Sequence, residues 1–186
     1  MKQISRVVIL AFALCLAFSV LASAQEIRIN FQDKDTPVPE GWFADYHEPF
    51  GPKDNGLVYG WEQAETMGRN RDSVDPPQAN TWDVLRATMT HMRNGKVWEI
   101  ELENGLYDVE ICIGDAWASN YSLKVENVIF WHNVKLRNRE WMIKSMTVEV
   151  TDGKLTLNPL DAAKWETRLC WIVIKPNAGE PMPEIR

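Results

Sequence analysis

The sequence predicts an all-β fold, a jelly-roll β-sandwich, and three observations carry that expectation. Short runs alternate apolar and polar residues with the two-residue period of a half-buried strand, as in Ile27, Arg28, Ile29, Asn30, Phe31. Turn dipeptides separate the runs: Asn94-Gly95, Asn104-Gly105 and Asp152-Gly153. No stretch carries a convincing amphipathic helix. Trp82, Leu85, Met89 and Met92 fall at helical spacing, but β-forming Thr88 and Thr90 lie among them, so this segment reads as irregular or strand.

Taken in order, the chain begins with Lys2 and Arg6, an apolar run from Val7 to Leu21, and small residues at Ala22 and Ala24. That order is a secretory signal peptide over 1–24, with cleavage before Gln25. A membrane anchor is the alternative, but the run is shorter than the roughly 20 apolar residues a span needs. Residues 25–175 then form one domain, long enough to bury a core. Its first strand holds Ile27, Ile29 and Phe31, with Asn30 and Gln32 on the other face. Asp33 to Asn55 reads as a long ordered loop, closed by a short strand from Gly56 to Trp61, and Gly68 to Asn80 reads as a second loop. Val97 to Leu102 and Leu106 to Ile113, joined by Asn104-Gly105, form the clearest β-hairpin in the chain. Tyr121 to Val128, Trp141 to Thr151, Lys154 to Leu157 and Leu169 to Ile174 continue the strands. The Pro-rich residues 176–186 cannot extend a ladder and read as a tail.

Composition narrows the function. Without Lys2 and Arg6 the chain keeps 18 of its 20 basic residues against 26 acidic ones, a formal charge of -8. That balance disfavours nucleic acid, and no segment after the leader is apolar enough to span a membrane. There is no nucleophile elbow, no phosphate-binding glycine loop and no HExxH, and His47, His91 and His132 lack metal spacing. No catalytic residue, cofactor or metal is therefore expected. Of the three cysteines, Cys15 leaves with the leader. Cys112 and Cys170 either close a disulfide, if their strands are neighbours, or stand as two buried thiols.

Nine tryptophans are the most distinctive content. Sugars present flat C–H faces ringed by hydroxyls, so their sites pair an aromatic platform with short polar side chains. Tyr59, Trp61, Trp82 and Trp117, with Trp42 and Tyr46, lie in or beside expected loops, and Arg69, Arg71, Asp72, Asp115 and Asn120 supply polar groups near them. The competing assignments are core positions for Trp61, Trp82 and Trp98, and a structural Asp115 paired with Arg71. Asn120, Tyr121, Ser122 also spells a glycosylation sequon, a triplet common by chance.

The run Trp98, Glu99, Ile100, Glu101, Leu102, Glu103, Asn104, Gly105, Leu106, Tyr107, Asp108, Val109, followed by Gly114, Asp115, Ala116, resembles the malectin-like, galactose-binding-like sandwich group, whose motif is a W-x-I-x-L-x-N-G-x-Y-x-V hairpin. Thr147 to Leu157 resembles the group's second hairpin around an Asp-Gly turn. The resemblance extends loosely from Ile27 to Ile174. It implies a galactose-binding-like sandwich that binds a glycan or polysaccharide, with Tyr59, Trp117 and Asp161 as counterparts of the sugar-holding residues; Trp117 stands where the group has a Tyr-Phe pair. It also implies a structural calcium as an option, for which Asp33, Asp35 and Asp45 are available, although their spacing matches no defined calcium loop. The expected function is thus a secreted, periplasmic or surface carbohydrate-binding module without catalysis, its site drawn from Tyr59, Trp61, Arg71, Asp115, Trp117, Asn120 and Asp161. The alternative is a structural or adhesion module of the same fold that contacts an extracellular protein. The two differ in whether Tyr59, Trp61 and Trp117 are exposed in one concave patch.

Overall fold

The computed structural model describes residues 26–63, 68–71, 83–92, 95–160, 167–177 and 179. The leader 1–24, Trp82, Asp161 and nearly all of the tail after Asn177 lie outside the described residues. Two sheets form the sandwich. The first runs β11 (Glu140–Val150), β8 (Gly105–Asp115), β13 (Thr167–Pro176), β1 (Ile27–Phe31), β2 (Phe43–Asp45). β6 (Thr88–Met92) pairs with the early part of β13, and β5 (Arg69–Asn70) pairs with β6. The second runs β10 (Val128–Leu136), β9 (Ser119–Val125), β12 (Lys154–Asn158), β7 (Trp98–Glu101), β4 (Val58–Trp61), β3 (Gly51–Pro52). The all-β expectation holds, with one four-residue helix among the described residues, α1 (Val84–Ala87), capped by the Asp83 carboxylate accepting from the Arg86 N–H at 3.0 Å.

Alternation explains why the sheets face each other. Ile29 and Phe31 of β1, Val109, Ile111 and Ile113 of β8, Trp98 and Ile100 of β7 and Leu123 of β9 are all fully buried in one cluster between the layers. Each such side chain contributes about 1.5–3 kcal/mol on leaving water. Phe31 packs edge-on against both Trp61 and Trp98, with centroids 6.1 and 5.6 Å away.

The outer face of the first sheet is not left to solvent. Met89, Cys112, Cys170, Trp171 and Val173 form a second buried cluster there, joined by Trp42, Leu85 and Trp141. Asn30 and Gln32, expected on a wet face, are therefore fully buried; Asn30 Nδ2 donates to Gln32 Oε1 at 2.8 Å and to Thr88 Oγ1 at 2.9 Å, and Gln32 Nε2 donates to the Thr36 carbonyl at 2.6 Å, while Asn30 Oδ1 has no partner among the described residues.

The connectivity corrects several expectations. β7 and β8 are not a hairpin: β7 pairs with β12 and β4 in one sheet, β8 with β11 and β13 in the other. Asn104 serves instead as a corner clamp, donating to the Thr151 carbonyl at 2.9 Å and accepting from the Gly153 N–H at 2.8 Å. The Asp152-Gly153 turn likewise crosses between layers, from β11 to β12. Antiparallel neighbours joined by a turn include β9 and β10, where Glu126 takes a positive φ of 51°, and the short β3 and β4. The long loop after β1 holds two short strands, β2 and β3, and the segment Val84 to Met92 is a helical turn running into a strand.

Candidate functional site

The candidate site forms where β8 ends. Gly114 has a φ of +148°, and a Cβ there would lie 2.4 Å from Trp141 Cδ1 and 2.7 Å from the Glu140 carbonyl. Only glycine lets β11 pack this closely, and the chain then delivers Asp115 into the interior. Asp115 is fully buried. Its Oδ1 accepts from Arg71 Nε at 2.7 Å and from the Ala116 N–H at 2.6 Å; its Oδ2 accepts from Arg71 Nη2 at 2.7 Å and pairs with Arg168 Nη1 at 2.8 Å. The carboxylate so enclosed faces two guanidinium groups, one of them bidentate. Asp115 is thus the structural acid that pairs Arg71, and it offers no free oxygen to a ligand.

Trp117 sits on this clamp. The Arg71 guanidinium lies 3.9 Å from the Trp117 ring centroid, and Arg168 Nη1 donates to the Trp117 carbonyl at 2.9 Å. Arg71 is itself tied to the end of α1 through its N–H, which donates to the Ala87 carbonyl at 2.8 Å. Trp117 nonetheless keeps 42% of its surface in solvent. The result is an exposed indole fixed from beneath by a cation and from its backbone by a second one. Buried Tyr121 lies next to Arg168; desolvation pushes its phenol well above the usual tyrosine range, so it stays protonated, with Arg168 pulling weakly the other way.

The structure brings together Arg71, Asp115 and Trp117 from the sequence-derived set. Asn120 follows closely as a half-buried residue of β9, in register with Lys135. Tyr59 and Trp61 are corrected: both belong to β4 and face the core, 2% and 0% exposed, so neither can stack on a ligand at Trp117. The Trp61 Nε1 and Trp98 Nε1 groups donate to Asp45 at 3.0 and 2.8 Å, which is why these indoles tolerate full burial. Both Asp45 oxygens are thereby taken, and Asp33 accepts from the Thr36 hydroxyl. Among the described residues no three His, Cys, Asp or Glu side chains gather as a cation site would require. Cys112 and Cys170 are buried as free thiols behind the clamp; burial, followed by the neighbouring Cys112, pushes the Cys170 thiol far above its usual value. Arg168 was not foreseen. It lies between Thr167 and Leu169 at the start of β13, with no sequence signal of its partner, and the β8–β13 pairing brings it to Asp115.

No family model and no curated protein matches the sequence. Solved structures share its fold. A protein from Bacillus subtilis superposes with a TM-score of 0.60 at 16% identity, over 86% of this chain and 42% of the other. The plant receptor FER, solved with LLG2 and a plant peptide, gives 0.54 at 17% identity over 87% and 41%. The ANXUR2 extracellular domain from Arabidopsis thaliana gives 0.51 at 13% over 86% and 42%. The chain thus has the malectin-like β-sandwich fold and spans less than half the length of these structures.

Proposed function

We propose that this chain is a non-catalytic carbohydrate-binding module working outside the cytoplasm, with Trp117 as the stacking platform for a sugar ring. The observation that carries this reading is the combination of exposure and rigidity at Trp117. An indole held in place before the ligand arrives loses little conformational freedom on binding, and it offers the flat apolar face that pyranose C–H groups need. Asn120, half-buried three residues on in β9, is the polar candidate for hydroxyls. Export is supported by the leader-like residues 1–24, and the module character by the fold.

A glycan array with residues 25–186, run beside Trp117→Ala, tests the reading. Saturable binding to one glycan class, lost in the variant, is the expected outcome. The variant should stay folded and lose less stability than a core truncation, since 42% of Trp117 already faces solvent. A folded parent that binds no glycan overturns the reading. A second reading, contact with a protein, is favoured by the dispersal of Tyr59 and Trp61 into the core and by exposed Ile129, Met142 and Ile143 on the edge strands β10 and β11. The peptide-bound FER structure is an instance of protein contact in a protein that contains this fold.

A further inference from the structure

Away from Trp117, a cleft opens along the seam of the sandwich between the edge strands β2 and β3. Its volume is about 570 Å³, within the range of small-ligand sites. None of its lining residues belongs to the Trp117 cluster. Trp42, Phe43 and Tyr46 supply half-buried aromatic walls, and Tyr59 forms part of the floor.

The polar lining is pre-arranged. Glu48 receives Lys34 at 2.8 Å and Lys53 at 3.5 Å, tying the loop after β1 to the β3–β4 turn. Asn55 is fixed by accepting from the Leu57 N–H at 3.0 Å, and its amide reaches the Tyr59 hydroxyl at 3.3 Å. Two lysines face two carboxylates, Glu48 and Asp54, so the cleft carries no net charge with which to select an ionic ligand. A peptide strand adding to β2 is also disfavoured, because the Ala44 carbonyl already accepts from the Tyr59 hydroxyl at 2.8 Å. What remains is a neutral, polyhydroxylated ligand with an apolar face.

We infer that this seam is a second saccharide site, independent of Trp117, which makes the module bivalent for neutral sugars. The inference rests on the carbohydrate reading above. Two sites on different sides of one chain would bridge glycan strands and raise avidity beyond either site alone.

The test is a two-dimensional proton–nitrogen spectrum of the 15N-labelled chain, 25–186, titrated with millimolar maltose, cellobiose, laminaribiose and chitobiose. The indole N–H signals of Trp42 and Trp117 are assigned from Trp42→Phe and Trp117→Phe. Both signals should shift with one of the sugars. Val38→Arg, at the exposed lip of the cleft and away from the core, should abolish the Trp42 shift and leave that of Trp117. Trp42→Phe could loosen the packing on Trp171, so the Val38 variant carries the conclusion. A shift at Trp117 alone overturns the second site and keeps the carbohydrate reading. A shift at Trp42 alone supports the seam and removes Trp117 from the reading. No shift at either signal overturns both.

Discussion

Arg71 has three jobs: it neutralises buried Asp115, backs the Trp117 ring and ties the end of β5 to α1. Removing one partner of a buried pair leaves the other uncompensated, at a cost of about 3–5 kcal/mol. Arg168 still faces Asp115, so Arg71→Ala should lose about 3 kcal/mol in urea unfolding, far more than Trp117→Ala. His47 gives a second residue-scale prediction. Desolvation lowers its pKa, against the pull of Asp45 and Asp33, and its buried Nε2 has no hydrogen-bond partner among the described residues, so burial favours the neutral ring. The unfolded chain takes up a proton near pH 6.5, before the native state does. This histidine therefore contributes stability that is present above that pH and is lost as pH falls toward the lowered native value. Unfolding free energy should decline across that window in the parent, and the decline should be shallower in His47→Asn, a residue that accepts the positive φ of 62°. At this scale the sequence showed Trp117 and the Asp115–Arg71 pairing as one of two alternatives. It did not separate buried Tyr59 and Trp61 from loop aromatics, because residue type is the same in both and only strand pairing decides which face is wet.

The elements show which local signals survive in the folded chain. Alternation located β1, β8, β11, β12 and β13, because each buries one face against a shared core. Turn chemistry at Asn104-Gly105 and Asp152-Gly153 was read correctly as chain reversal and wrongly, at the first, as a hairpin. A tight turn sets the local backbone path, not the sheet that the next strand joins, and in a sandwich both choices bury the same alternating residues. β10 escaped notice because its register shifts between Ile129 and Trp131 and again before Val134, with Asn133 at a φ of 53°, so its period of two is broken. β2 and β3 are too short to have a period. The end of β8 depends on glycine in a way that can be measured. Gly114→Ala meets the Trp141 ring and a backbone carbonyl and should cost about 3 kcal/mol, whereas Gly153→Ala, with nothing within 4 Å, should cost about 1 kcal/mol for its φ of +85° alone. Equal losses in denaturant unfolding would remove the packing role assigned to Gly114.

Across the whole molecule, the two proposed sites lie at the margins: the fixed indole where β8 ends and the neutral cleft between β2 and β3. β13 holds that arrangement together. It lies between β8 on one side and β1 with β6 on the other, although it follows every other described strand in the chain. A chain ending before Thr167 should therefore show no cooperative melting and little sheet signal in circular dichroism, even with twelve of the thirteen described strands present. Such an order of assembly has a consequence for biogenesis. While the ribosome is still adding the last strand, the earlier ones have no centre to dock on, and the nascent polypeptide stays a loose thread. A chain passed through a narrow translocation channel must be in that state, and this topology keeps the first sheet open until β13 has been made.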